Sequence, residues 1–283
     1  MNVLYENIKK TADNSSAAES DFCISVSAKQ PYLKDHDVGL PLFGTVLSLE
    51  AMAEAYLLAD SSDISFSAAK PSRITCIQNV ISGKDCLFSK DSENELICKV
   101  SENGTSLYCK NELLFKCMLS SKEIAPQKIA LPADISLLSG AVQKDIYQAL
   151  FHGPSFQVLK KAAKFQNFIL AEMNPELPPL SANPQHNAVL PIRIIEFCLQ
   201  SCGIWELAFS NCVSVPLSIE QIRIHHDFSG GPVYAIAEMK ENGGHITALD
   251  ADCNVYVEVI GYKTKQMPYE GGNYDCLLKK FTN

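Results

Sequence analysis

The sequence predicts an α+β fold made of two similar halves, each with one antiparallel sheet around one buried helix. Two segments, Pro31–Ala55 and Leu190–Ala208, have the composition of helices with little polar surface. Each segment is followed by about four short strand-like runs separated by polar or Gly-containing turns. A helix that is apolar on most sides must be covered, and a sheet wrapped around it provides that cover.

The first half begins with a polar stretch, residues 1–20, which we expect to be a flexible arm. A strand is predicted over 22–30, where apolar and polar residues alternate. The helix is predicted over 42–58, which is dominated by Ala, Leu, Met and Glu. We assign the whole half to residues 21–119. Its later strand-like runs lie at 73–81, 85–89, 95–103 and 105–119.

The second half is expected to follow a polar, proline-containing linker at 120–138. We assign this half to residues 139–268 and the remaining 269–283 to a tail. Within it, 155–173 predicts a pair of strands, and 187–209 contains the second helix. Four alternating runs after that helix predict further strands.

Composition excludes several classes of protein. The net charge is −8 and the basic residues form no stripe with aromatics, so we expect no nucleic-acid binding. No apolar run reaches membrane-spanning length, and the first residues lack a signal peptide's apolar stretch, so a cytoplasmic location is expected. Eleven cysteines without a CxxC pair predict neither a disulfide framework nor a metal site. Cys198 and Cys202 are interpreted as small core residues.

Four segments carry a resemblance to a known family. They are DHDVG at 35–39 with the following helix, HGPSFQ at 152–157, PIRIIEFCLQ at 191–200 and DADCNVYVEVIGYKTK at 250–265. In this order they resemble the histidine motif, the Tyr/His-Gly-Pro-x-Phe-Gln segment, the Pro-x-x-x-Asp-x-x-x-Gln/His motif and the closing strands of dehydratase domains. These domains belong to polyketide synthases and polyunsaturated fatty acid synthases. The matches span residues 20–268.

The resemblance implies a double hotdog fold, in which two fused hotdog units each wrap a curved antiparallel sheet around one central helix. It implies dehydration of a β-hydroxyacyl thioester to the enoyl thioester, in polyketide or fatty acid biosynthesis. The substrate would be carried on the phosphopantetheine arm of an acyl carrier protein, with no cofactor bound by the enzyme itself. A homodimer is also implied.

The reaction needs two proton transfers, and one residue in each half fits one of them. A base must take a proton from the α-carbon, and the imidazole of His36 suits this task. An acid must protonate the leaving hydroxyl. Burial of Glu196 in an apolar helix would keep its carboxyl protonated near neutral pH. We therefore predict His36 as the base and Glu196 as the acid.

Other residues near these motifs are predicted to bind the substrate. A backbone N–H at Gly39 or Gly44 would stabilise charge on the thioester oxygen. Gln200 lies four residues after Glu196 on the same helical face, where it would orient the carboxyl or bind the substrate hydroxyl. In the HGPSFQ segment, His152 is expected near the site. There, Gly153 and Pro154 would shape a turn.

Two departures from the family pattern leave alternatives open. The position that is usually aspartate is Glu196, and Gly44 stands near the usual proline position, one residue closer to His36 than the family spacing. His36 would otherwise be a polar turn residue, and Glu196 would otherwise pair with Arg193 one helical turn earlier. The alternative functions are a related cyclase or isomerase, or a non-catalytic module that binds an acyl chain or a partner.

Overall fold

The computed structural model describes eight stretches of the chain, which group into two compact units. The first unit comprises 1–123 and 179–192, and the second comprises 124–178 and 193–283. The described stretches are 4–5, 7–11, 19–59, 73–131, 140–183, 186–227, 230–267 and 272–282.

In the first unit, one helix packs on an antiparallel sheet. The strands are β1 (Asn7–Lys10), β2 (Glu19–Ser27), β3 (Cys76–Ser82), β4 (Glu93–Ser101), β5 (Gly104–Cys109) and β6 (Glu112–Ser120). Their order in the sheet is β1-β2-β4-β5-β6-β3. A short helix, α1 (Pro31–Lys34), precedes the long helix α2 (Thr45–Leu58), which contacts β4, β5 and β6.

Helix α2 is buried on nearly all sides, as the sequence predicts. It begins at Thr45 rather than at Leu42, because Leu42 forms a bridge with Leu87 and Gly44 has an extended backbone. The run 85–89, which was predicted as a strand, contributes only this single bridge. Interior positions such as Leu49 and Met52 have no exposed surface.

In the second unit, the helix with Glu196 packs on that unit's own antiparallel strands. The strands are β7 (Ala141–Val142), β8 (Leu159–Lys164), β9 (Phe168–Met173), β10 (Val213–Ile224), β11 (Val233–Lys240), β12 (Gly243–Asp250) and β13 (Val255–Met267). Their order is β10-β13-β12-β11-β9-β8-β7. The helices are α3 (Gln143–Ala149), α4 (Ile192–Ser210) and α5 (Asn273–Leu278), with 3-10 turns at Pro154–Phe156 and Lys279–Phe281.

Helix α4 is tied to its sheet by polar contacts near its C-terminal end. The Lys164 ammonium donates to the carbonyl of Ala208 over 2.7 Å. The buried Glu206 carboxylate accepts hydrogen bonds from the hydroxyls of Ser214 and Thr264. These contacts fix the rotation of α4, and with it the direction of the side chains one to three turns earlier.

The predicted order of elements in each half is confirmed, but some segments differ from expectation. Strand β1 lies within the stretch expected to be a flexible arm, and α5 lies within the expected tail. Residues 179–192 group with the first unit, although we assigned them to the second half. The reason is local, since the backbone N–H groups of Val189 and Leu190 donate to the carboxyl of Glu50. Part of the predicted linker, 132–138, lies outside the described residues.

All eleven cysteines are free thiols, and Cys198 and Cys202 are buried as expected. Among the described residues, no helix is long and apolar enough to cross a membrane.

Candidate active site

The predicted acid, Glu196, lies on the buried face of α4 and is 6% exposed. Its Oε1 accepts a hydrogen bond of 2.8 Å from the side-chain amide of Gln200, one turn later on the same face. The contact that the spacing of these two residues predicts is therefore present.

The amide of Gln200 is held in one orientation by three partners. Its Nε2 donates to Glu196 and also to the carbonyl of Phe156 over 3.0 Å. Its Oε1 accepts from the hydroxyl of Tyr147 over 2.7 Å. Both amide hydrogens are used within the protein, so the geometry favours orientation of Glu196 over direct binding of a substrate hydroxyl.

Tyr147, on α3, extends this network to the sheet, and the sequence analysis missed it. Its hydroxyl accepts the backbone N–H of Leu159, over 2.7 Å, while it donates to Gln200. Burial raises the pKa of Tyr147 well above its ordinary value, so the phenol stays protonated and remains a donor. No spacing pattern marks a tyrosine on a short helix as the partner of a glutamine on a distant one.

His152 contacts the acid directly. Its Nε2 lies 3.1 Å from Oε1 of Glu196, and the two side chains are 9% and 8% exposed. Sequence analysis placed His152 near the site as a substrate-binding residue. In the structure, the imidazole of His152 contacts the carboxyl of the predicted acid itself.

The turn predicted at Gly153 and Pro154 is present and presents the His152 ring. Pro154 begins a 3-10 turn, and the carbonyl of Gly153 accepts the N–H of Phe156. The side chain of Gln157 donates back to the carbonyl of His152 over 3.1 Å, which closes the loop. The backbone is therefore fixed on the C-terminal side of His152.

Arg193, the alternative partner for Glu196, is directed at backbone carbonyls. Its Nε donates to Ser155 over 3.2 Å, and its terminal nitrogen donates to Pro178. These two bonds link the start of α4 to the 3-10 turn after His152 and to the stretch that follows β9.

In the first unit, the predicted base His36 is buried, with 3% exposure. It follows α1, where its N–H donates to the carbonyl of Leu33 over 3.1 Å. Its own carbonyl accepts the N–H of Leu42 over 2.7 Å. A side chain at Gly44 would lie 3.5 Å from Cδ2 of the imidazole, so the glycine leaves that part of the ring uncovered.

The two glycines that were predicted as oxyanion donors use their N–H groups within the protein. Gly39 donates to Oδ1 of Asp37 over 2.7 Å and lies exposed at a turn, with a φ of 103°. Gly44 donates to the carbonyl of Leu42 over 3.0 Å. Gly39 therefore serves the turn closed by the Asp37–Pro41 bridge, and either N–H would have to change partner to reach a substrate.

Helix α2 contains a pair of carboxyls that the sequence analysis interpreted only as helix-forming residues. Glu50 and Glu54 have no exposed surface and are hydrogen-bonded to each other. Glu50 accepts the N–H groups of Val189 and Leu190, over 2.6 and 2.9 Å. Burial raises the pKa of both carboxyls. The hydrogen bond between them lowers the pKa of Glu50, whereas the charge of Glu50 raises that of Glu54, so the pair holds a proton between its members.

Comparisons with known proteins agree with this architecture. The sequence model of the polyketide synthase dehydratase N-terminal domain matches residues 130–272. The dehydratase domain from the CurF module of curacin polyketide synthase is 20% identical, with a TM-score of 0.74 over 94% of this chain and 100% of that one. A trans-AT polyketide synthase dehydratase domain from Brevibacillus brevis is 17% identical, with a TM-score of 0.72 over 95% and 100%.

The dehydratase from the CurK module of curacin polyketide synthase is also similar. Two inactive mutants of it, one with histidine replaced by phenylalanine and one with aspartate replaced by asparagine, are each 18% identical to this chain, with a TM-score of 0.69. They cover 93% and 92% of this chain and 98% of their own. A comparison with curated protein sequences gave no match. The structural likenesses confirm the predicted double hotdog fold.

Proposed function

Because the chain belongs to the polyketide synthase dehydratase family, whose members are hydro-lyases acting on β-hydroxyacyl thioesters, we propose that it dehydrates such a thioester with His36 as base and Glu196 as acid. The observation that carries this proposal is the setting of Glu196. Its carboxyl lies on the buried face of an apolar helix and is oriented by an amide that is itself held by three partners.

The proposed reaction is a coupled elimination. The imidazole of His36 removes a proton from the α-carbon, and Glu196 gives a proton to the β-hydroxyl as the C–O bond breaks. Water and the enoyl thioester leave, and a proton passes from His36 back to Glu196 to restore the starting state. Gln200 orients the carboxyl throughout, with Tyr147 holding the amide.

The need for both residue types is supported by the CurK dehydratase. In that protein, a mutant with a histidine replaced by phenylalanine and a mutant with an aspartate replaced by asparagine are both inactive. Here Glu196 would take the part of the carboxyl, with one more methylene group.

We propose further that the substrate arrives on the phosphopantetheine arm of an acyl carrier protein and that the enzyme binds no cofactor of its own. A covalent carrier also explains how a buried carboxyl receives its substrate, because a long flexible arm reaches groups that a carrier surface cannot touch. We also propose a homodimer, as the family resemblance implies.

The test is water loss from a panel of 3-hydroxyacyl thioesters on carrier protein or pantetheine, followed by mass spectrometry. We expect enoyl product from the wild type. Loss of one general acid or base typically costs about 10²–10⁴-fold, so His36→Ala and Glu196→Gln should each fall by that order. The exposed Glu123→Gln is the matched control and should keep the wild-type rate.

The opposite result is equally informative. If the folded wild type binds the thioesters but catalyses neither dehydration nor hydration, the dehydratase proposal is wrong and the non-catalytic binding module replaces it. If only one of the two variants loses activity, the role of the other residue is wrong.

A further inference from the structure

We propose that His152 and Glu196 share one proton and that this shared proton is the one given to the leaving hydroxyl. The inference rests on the proposed function, since it specifies the acid of that reaction. It starts from the 3.1 Å contact between Nε2 of His152 and Oε1 of Glu196. In this arrangement the acid is a pair of side chains rather than a single carboxyl.

Burial of both partners makes the contact consequential. The two side chains are 9% and 8% exposed, so water screens their interaction weakly. A bare carboxylate at this depth is costly, and a nearby base that carries a proton lowers that cost. The shared proton therefore stays on the axis between the two groups when no substrate is bound.

The neighbouring groups of the second unit do not compete for this proton. Tyr147 and Tyr262 both interact electrostatically with Glu196, and burial raises the pKa of each phenol well above its usual range. Arg193 remains a cation and donates to the carbonyls of Ser155 and Pro178.

The hydrogen bonds around His152 and Glu196 are compatible with one proton shared between these two side chains. Gln200 donates an N–H to Oε1 of Glu196 whether that oxygen is ionised or protonated, so it tolerates both states. With the proton on the carboxyl, the carboxyl O–H donates a hydrogen bond to Nε2 of His152. With the proton on the imidazole, Nε2 donates to the carboxylate. During the reaction the pair loses this proton to the hydroxyl, water departs, and the proton taken from the α-carbon later replaces it.

The backbone and a stacked ring hold the imidazole in place for this role. Gln157 donates to the carbonyl of His152, and the ring of Phe151 stacks on the imidazole with centroids 4.2 Å apart. Phenylalanine at position 152 would keep the stack and the shape while removing both ring nitrogens. His152→Phe is therefore a variant that tests the chemistry with little effect on packing.

The decisive experiment is the pH dependence of kcat/KM for wild type and His152→Phe. In the wild type, both the imidazole of His152 and the carboxylate of Glu196 can hold the proton, whereas only the carboxylate remains in the variant. The high-pH limb of the kcat/KM profile should therefore move to lower pH. The shift should be on the order of one pH unit, less than the gap between an ordinary imidazole and an ordinary carboxyl, because burial disfavours the charged form of the carboxyl that remains. At about pH 8, the variant should be slower by about 10- to 100-fold, with a smaller loss at acid pH.

A double variant tests whether the two residues act as a unit. If they share one proton, His152→Phe combined with Glu196→Gln should be no slower than Glu196→Gln alone. His226→Phe, at a half-buried histidine just after β10, is the matched control and should leave the pH profile unchanged. An unmoved limb in His152→Phe, or losses that multiply in the double variant, would overturn the proposal.

A measurement without turnover separates this inference from the proposed function. In ¹⁵N-histidine NMR, Glu196→Gln should change the titration of His152 and leave that of His226 as in the wild type. If this coupling is seen in a protein without dehydratase activity, the proton-sharing pair stands and the function is wrong. If His152 titrates identically with and without the Glu196 carboxyl, the pair is wrong whatever the activity.

Discussion

At position 196, the extra methylene of glutamate is the departure from the family motif with the clearest physical consequence. A displacement of about 1 Å can cost on the order of 100-fold in rate, so a longer acid must be repositioned to remain useful. Gln200 and His152 both lie against its Oε1, at 2.8 and 3.1 Å. We infer that these two contacts hold the longer side chain in a single position.

The residue-scale prediction concerns Tyr147, which acts on the acid only through Gln200. Tyr147→Phe removes one hydroxyl and leaves the N–H of Leu159 and Oε1 of Gln200 without this partner. Unsatisfied buried groups cost about 1–3 kcal/mol, so the melting temperature should fall. Because the amide can then rotate away from Glu196, kcat should fall about 10-fold with KM nearly unchanged.

The control for this prediction is Tyr108→Phe on β5 of the first unit, which should change neither quantity. Steady-state kinetics and thermal unfolding on the same preparations provide the two readouts. A fall in stability with kcat intact would show that Tyr147 supports the fold alone.

At the scale of elements, helix α2 has a buried pair of carboxyls that makes its stability depend on pH. Burial raises the pKa of Glu50 and of Glu54 above the ordinary range. Acids whose folded pKa is raised stabilise the fold fully at low pH, and this contribution is lost as the pH rises through the folded values. The first unit should thus lose stability from mildly acid to alkaline pH.

Glu54→Gln tests this dependence, because an amide keeps the shape of the acid but cannot ionise. The drop in melting temperature between about pH 5 and about pH 8 should be smaller in the variant than in the wild type. Glu123→Gln, at an exposed carboxyl in the same unit, should leave the drop unchanged. Equal drops in Glu54→Gln and wild type would show that the pair does not titrate in this range.

In the second unit, β13 has a carboxyl with the opposite behaviour. Glu258 contacts His245, His225 and Arg223, and these groups lower its pKa to about 2. A carboxyl whose pKa is lowered by folding stabilises the folded state at pH values above the ordinary carboxyl pKa. This contribution is lost as the pH falls towards about 2. His225 also contacts the carbonyl of Ala125, so this cluster ties the start of the second unit to its sheet.

Glu258→Gln should therefore be less stable than the wild type at neutral pH, with the gap closing as the pH falls. Urea unfolding at several pH values would measure it, with the exposed Glu241→Gln as control. A gap that is the same at acid and neutral pH would mean that the loss comes from packing rather than from charge.

The elements were more predictable than the contacts between them. Helix α2 and the strands of both halves follow from local periodicity, because each buries one side or all sides of a regular element. The order Glu196–Gln200 also follows from helical spacing. The roles of Tyr147 and of the Glu50–Glu54 pair depend on segments far apart in sequence, about which a single sequence with no structure carries no local signal.

At the scale of the whole molecule, the two units respond to pH in opposite directions. The carboxyl pair of α2 favours acid conditions for the first unit, while Glu258 favours neutral conditions for the second. The melting temperature of the full chain should therefore be highest at the pH where both contributions are present. This pH lies just above the ordinary range of carboxyl pKa values, at about pH 5.

The chain passes from the first unit to the second after residue 123, returns at 179, and leaves again after 192. A gene cut at residue 123 would thus produce a first fragment lacking the peptide groups that solvate the Glu50 carboxyl. Separation at that point would leave a buried acid without these hydrogen bonds, so the first unit depends on the unbroken chain.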